Sequence, residues 1–331
     1  MAKVIHNVQA CSPSEAAFHH TRATPVSNCP ELVDFILDVP PRYMWGWTED
    51  TQQDTNGYCG ETAFQSHGIF HGDWISSEYI RNAGDKVELL IGSTDRQTAG
   101  ALSLNHEAFD NNRRPNLDHF LPYVRKTIDA GGIVVCGFYQ KKPDGDDEYD
   151  HIMPIVGYRW NTAKKAIVGL HHNDLYTVTE PRLLRIPEDV TDRRGATIAS
   201  EPDQPFEYTL PKSKLYAIAL HGHEDEDDET YRMKLVMPRD REPDWGKTDR
   251  LHESPETFQV TAIITGLEKG STYNIVRYDT LAVPSKEFLA GDFTMKFEFT
   301  AKDETVRLVN FDSIASNSIA RYRCVDADED S

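Results

Sequence analysis

The chain has no run of eighteen apolar residues, so no segment reads as a helix that spans a bilayer. Its beginning, MAKVIHNVQACSPSEAAF, lacks the basic-then-apolar layout of a secretory leader. The expectation is a soluble chain, its compartment open between the cytoplasm and secretion with a leader removed. Positive charge is in short supply: 35 Lys and Arg stand against 54 Asp and Glu, giving a net charge of −19. That balance argues against nucleic acid and anionic membrane surfaces as partners and favours a basic peptide or protein. Glycine-rich phosphate loops, a dinucleotide fingerprint and internal repeats are all missing, so no cofactor is expected. Cysteine is scarce, with five in 331 residues, and the compartment cannot be read from a disulfide framework.

What the chain does contain is enough apolar sequence, 39%, for a sizeable core and about two domains by the usual length relation. The most informative stretch is QQDTNGYCGETAF, Gln52 to Phe64. Gly57 supplies a tight turn into Cys59, and Thr62, Ala63 and Phe64 begin an apolar pattern that Ile69 and Phe70 continue at helical spacing. This predicts Cys59 on the first turn of a helix, where free N–H groups and the positive end of the dipole favour thiolate over thiol.

A nucleophilic thiol needs an imidazole to share its proton and later protonate the leaving amine. His151 opens the run Ile152 to Tyr158, whose β-branched residues read as a buried strand that would hold the ring rigidly. The following strand, Ala166 to His171, leads into Asn173 and Asp174, either of which could bond the far ring nitrogen and fix its tautomer; Asn173 is the first choice. Gln53 is the candidate oxyanion donor beside the Cys59 backbone N–H, with Gln52 as a substitute.

Gln53, Cys59, His151 and Asn173 or Asp174 stand in the order and rough spacing of the papain-like cysteine peptidases, which this chain resembles from about Tyr43 to Leu220. Within that superfamily the Cys59-Gly60 pair and the DHIMPIVGY strand are similar to the bacteriocin-processing, double-glycine-leader branch, since papain carries an aromatic residue where Gly60 stands. The resemblance implies an α+β fold, with the nucleophile on a helix packed against an antiparallel sheet that carries the base, and a peptide or protein substrate in the groove between. It implies a thiol hydrolase that cleaves a peptide or amide bond through an acyl-enzyme on Cys59. A transpeptidase or amide-forming acyltransferase would use the same residues, and a catalytically inactive binding module would keep the fold alone.

The expected layout is an irregular segment over 1–40, with Leu32 to Val39 as a short helix, then the papain-like domain over 41–222. Helical pieces are expected at Trp74 to Asn82 and Asn116 to Ala130, with a polar binding loop from Asp85 to Pro115. Antiparallel strands follow at Ile133 to Gln140, His151 to Arg159, Ala166 to His171 and Leu215 to His221. Six consecutive carboxylates, Glu224 to Glu229, mark an acidic linker over 223–232. Beyond it, strand-like runs at Phe258 to Leu267, Thr272 to Asp279, Phe293 to Ala301 and Thr305 to Asp312 suggest an all-β sandwich over 233–326, of unassigned role.

Plainer readings compete at several positions. Cys136, in the apolar run IVVCGFY, reads as an inert buried thiol, whereas Cys11 and Cys29 could bridge. Asn173 and Asp174 could simply close a strand. His67 and His71, four apart on the proposed nucleophile helix, have zinc-binding spacing, but Gly68 stands where zinc peptidases place a glutamate, and no metal is expected. Adjacent strand residues His171 and His172 must point to opposite faces, so at most one can face the groove, with His171 a possible auxiliary group. Tyr273 and Tyr278 read as core positions rather than an exposed binding surface.

Overall fold

Two apolar strands, Ile133–Gln140 and His151–Asn161, form the centre of the larger sheet, and nearly every residue along both is buried. A strand covered on both faces has no need to alternate apolar with polar residues, which is why both read as continuous hydrophobic runs. The computed structural model describes residues 3–7, 32–42, 57–110, 116–140, 149–175, 181–186, 208–210, 214–223, 230–236, 257–281 and 293–327. In chain order the first elements are β1 (Lys3–Asn7), β2 (Leu32–Ile36), α1 (Cys59–Phe70), β3 (Asp73–Ile75), α2 (Ser77–Ala83), α3 (Asp95–Ala101), β4 (Leu104–Ala108) and α4 (Leu117–Asp129). The central strands are then β5 (Ile133–Gln140) and β6 (His151–Asn161), followed by β7 (Ala166–His172), β8 (Arg182–Arg185), β9 (Tyr208–Thr209) and β10 (Ala217–His223). The last group is β11 (Arg232–Val236), β12 (Thr257–Thr265), β13 (Thr272–Tyr278), β14 (Met295–Thr300), β15 (Thr305–Ala315) and β16 (Ile319–Asp326).

The protein is α+β, and every strand pairing among the described residues is antiparallel. The larger sheet runs β1-β2-β6-β5-β10-β4, with β7 and then β8 added to β6, and β9 to β5. Residues 157–161 of β6 pair with β2 along one edge and with β7 along the other. Helices α1 and α4 both pack on β5, β6 and β10. Among the described residues no helix is long and apolar enough to cross a membrane.

The strand β2 replaces the short helix expected at Leu32 to Val39, and with β1 it adds regular structure to the segment read as irregular. A five-residue apolar run does not distinguish strand from helix by itself. Here pairing decides: Leu32 to Ile36 match Asn161 to Gly157 in register, and Asp34 accepts Arg159 Nε at 2.7 Å, Arg159 Nη2 at 2.8 Å and bonds His171 Nε2 at 2.9 Å. Burial by itself would raise the Asp34 pKa, but these hydrogen bonds outweigh it and hold the carboxyl well below its usual range. Two further differences lie downstream. Trp74 belongs to strand β3 rather than a helix, and the expected loop Asp85 to Pro115 contains α3 and β4.

The two C-terminal sheets, β11-β12-β15 and β14-β13-β16-β3, share one core built from Leu235, Val260, Ala262, Ile264, Tyr273, Ile275, Tyr322 and Cys324. Tyr273 and Tyr278 are buried, and so is Cys136 in the larger sheet. The smaller four-stranded sheet takes its edge strand β3 from the chain just after α1, with Asp73, Trp74 and Ile75 paired to Arg321, Ala320 and Ile319. Helix α1 therefore joins the two cores, placing Phe64 in the first and Ile69 in the second. The acidic run Glu224 to Glu229, Cys11 and Cys29 lie outside the described residues.

Gly157 sits where β2 crosses closest to β6, and a β-carbon there would come within 2.3 Å of the Phe35 carbonyl oxygen. Gly100, exposed in α3, has nothing within 4 Å of that position. Urea unfolding should show Gly157→Ala destabilised by about 2 to 3 kcal/mol and Gly100→Ala stabilised by about 0.5 to 1 kcal/mol; equal effects at both positions would contradict this packing of β2.

Candidate active site

Cys59 is the first residue of α1. The turn that delivers it is held by Arg81, whose Nη2 donates to the Gly57 carbonyl at 2.8 Å and whose guanidinium lies 3.6 Å from the Tyr58 ring centroid. Arg81 Nε also meets Glu61 Oε1 at 2.8 Å, and the same oxygen accepts the Leu89 N–H at 3.0 Å. Glu61 is buried in the first helical turn, and these contacts replace the water that Oε1 gives up, whereas Oε2 has no hydrogen-bond partner among the described residues. Gly60 has a steric reason as well. A β-carbon at that position would lie 2.6 Å from the Leu89 carbonyl oxygen, so the segment leading to α3 can approach the helix only over glycine.

The residue Cys59 is half-buried, but its thiol is deep enough that burial pushes its pKa up to about 12. The backbone N–H groups of Ile152 and Gly60 pull it down, and the carboxylates of Glu61 and Glu88 push it further up. Position on a first helical turn thus fails to yield the thiolate expected from the sequence, because desolvation and two nearby acids outweigh the helix terminus. The contact with the Ile152 backbone nevertheless sets the sulfur beside the start of β6, where His151 is the first residue.

His151 is buried, its ring stacked on Tyr208 with centroids 5.4 Å apart and planes at 25°. Burial lowers its pKa to about 3, so it is a neutral imidazole at neutral pH. Of the two histidines on β7, His172 is the one that neighbours His151, whereas His171 bonds Asp34 through Nε2. Asn173 is buried and donates its N–H to the Pro154 carbonyl at 3.1 Å and Nδ2 to the Val39 carbonyl at 3.3 Å. Asp174 meets Arg182 Nε at 3.4 Å. Gln53 and Gln52 lie outside the described residues, as do 141–148 and 176–180 on either side of this region.

Sequence reasoning missed Glu61, Arg81, Tyr149 and Tyr208. A charged residue in the first turn of an otherwise buried helix signals the first pair, and an aromatic two places before His151 signals Tyr149. Tyr149 packs against Gly137, donates its hydroxyl to the Ile91 carbonyl at 3.3 Å and lies near Cys59. Two clefts elsewhere, one of about 640 Å³ beside α3 and β10 and one of about 370 Å³ beside β11, are walled by other residues than Cys59 and His151. No group of three or more metal-ligating side chains occurs among the described residues. Comparison of the chain with models of protein families, with curated proteins and with solved structures gives no match.

His151 and His172, both lowered to about 3 by burial, bind no proton in the folded state where the unfolded chain would take one up. Their stabilisation is complete above the unfolded pKa of about 6.5 and is lost as pH falls below it, by about 1.4 kcal/mol per pH unit for each ring. His67, His71 and His223, also lowered by burial, add to the loss, so urea unfolding followed from neutral pH down to about pH 4 should show stability falling with pH, with a slope shallower by one proton in His172→Gln; an unchanged slope in the variant contradicts a buried neutral His172.

Proposed function

We propose that the protein is a papain-like thiol hydrolase that cleaves a peptide or amide bond, with a C-terminal β-sandwich of unassigned role. What supports the reading is that two segments far apart in the chain meet: Cys59, first residue of α1, lies close enough to the backbone of Ile152, next to His151 at the start of β6, for that backbone to lower its pKa. Because both groups are neutral at rest, the reading is general-base catalysis rather than a standing ion pair. His151 takes the Sγ proton as sulfur attacks the substrate carbonyl, and the oxyanion is held by the Cys59 backbone N–H and Gln53. His151 then gives that proton to the leaving amine. Water, deprotonated by the same ring, attacks the thioester and frees Cys59. Asn173 or Asp174 orients the imidazole. The net charge of −19 favours a basic peptide or protein as substrate.

A second reading, a catalytically silent binding module, is favoured by one observation: burial raises the Cys59 thiol to about 12, which opposes an activated nucleophile. The two are separated by labelling with an irreversible thiol electrophile, with the modified residue assigned by mass spectrometry in the parent and in His151→Ala. Catalysis requires selective modification of Cys59 that slows about a hundredfold or more in the variant. Equal rates in the two proteins, both folded by circular dichroism, decide for the silent module.

A further inference from the structure

At the opposite end of α1 from Cys59, a cleft of about 370 Å³ opens between the helix terminus, β10 and β11. Its volume falls in the range of small-molecule sites. Three permanent cations line it, Arg232, Lys234 and Arg323, together with His71, His221 and His223, and the carboxylate in its wall is Asp38, which pairs with Lys234. Arg323 in turn reaches Asp73, behind the wall, at 2.8 Å. Arg232 is exposed on β11 and forms no ion pair among the described residues.

In a chain of net charge −19, a cleft whose wall is this rich in cations is a local inversion of sign. Its histidines are placed by the backbone. The pairing of β10 with β4 shifts register between Leu220 and Gly222, a bulge of the kind that re-aims side chains at the edge of a sheet. His221 and His223, two apart on β10, both line the cleft, and Gly222 lets the strand pass beside the His71 ring, whose Nδ1 would lie 3.1 Å from a β-carbon there. His223 is satisfied, bonding the His71 carbonyl through Nε2 at 2.9 Å and Arg321 Nη2 through Nδ1 at 3.0 Å. His71 Nε2 is buried and has no hydrogen-bond partner among the described residues, although the residue lines the cleft.

We infer that this cleft binds a small organic phosphate, its anion held by Arg232 and Lys234 and its organic part resting on Phe70, Tyr231 and Met233. The Arg232 guanidinium supplies planar, paired donors suited to phosphate oxygens, and the Lys234 ammonium adds a compact positive charge. The apolar side chains account for a cleft much larger than phosphate alone. This site is independent of the thiol chemistry proposed for Cys59.

Isothermal titration of the full chain with inorganic phosphate, phenyl phosphate and phenol tests the inference. The expected result is saturable binding of phosphate at one site, tighter binding of phenyl phosphate and none of phenol. Arg232→Gln, at an exposed position that leaves the fold intact, should weaken both phosphates by about tenfold or more, whereas Cys59→Ala should leave them unchanged. Absence of saturable phosphate binding, or equal affinity in Arg232→Gln, overturns the inference. Binding that arises only in a variant carrying Glu224→Gln, Asp225→Asn and Glu226→Gln overturns it too, because the cations would then belong to the chain's own carboxylates.

Discussion

Helix α1 is the constraint on which the rest of the structure depends. Ten of its twelve residues are buried, and they include Glu61, Thr62, Gln65, Ser66 and His67 as well as Phe64 and Ile69. A helix buried this fully cannot rely on an amphipathic stripe, and its polar groups are only partly matched: Thr62 Oγ1, Ser66 Oγ and both His67 ring nitrogens have no hydrogen-bond partner among the described residues. Glu61 finds Arg81 and the Leu89 N–H, and Gln65 donates to the Ile75 carbonyl at 2.9 Å. Just past the helix, buried Asp73 takes Arg321 Nε and Arg323 Nη1, each at 2.8 Å, across the strand pairing that binds β3 to β16. Removing one partner from such a buried cluster costs far more than the cluster contributes, so these ion pairs act mainly to allow a single register between the halves.

The same burial shapes the chemistry at the N-terminal end of the helix. Raising a thiol from its ordinary 9 to about 12 corresponds to roughly 4 kcal/mol, whereas a helix terminus offers a charge about 1 kcal/mol or less. The magnitudes explain why location on a first turn does not by itself produce a thiolate here. In the proposed mechanism the nucleophile is generated only when a substrate carbonyl is in place, and the neutral His151 is ready to receive the proton. At the other end of the helix the logic is reversed, with cations gathered in a cleft and an imidazole nitrogen left without a partner.

Much of this was legible in the sequence where local signals and tertiary environment agree. Asn116 caps α4 by accepting the His119 N–H at 3.3 Å, and the helix gives way at Gly131. The β-branched runs of β5, β6, β12 and β13 form strands within a residue or two of their expected bounds. Gly57 before Cys59 correctly marked a helix start. Legibility failed where a long-range partner decides. β2 is a strand because β1 and β6 flank it, and β3 is a strand because β16 is available to pair with it. β16, for which no strand is expected from the sequence, carries Arg321 and Arg323, whose charges are met by the buried Asp73. The charge states of Cys59 and His151 were illegible for the same reason, since both are set by how deeply other parts of the chain bury them. The choice between Asn173 and Asp174 likewise depends on packing beyond β7.

If α1 and β3 weld the two cores together, the larger sheet and the C-terminal sheets open as one unit. Native-state hydrogen exchange over a series of denaturant concentrations measures this most directly. The account predicts that slow amides in β5 and β6 and those in β13 and β16 converge on one opening free energy with one denaturant dependence. Exchange of β13 and β16 through a separate opening of lower free energy and smaller denaturant dependence, with β5 and β6 still protected, would contradict it.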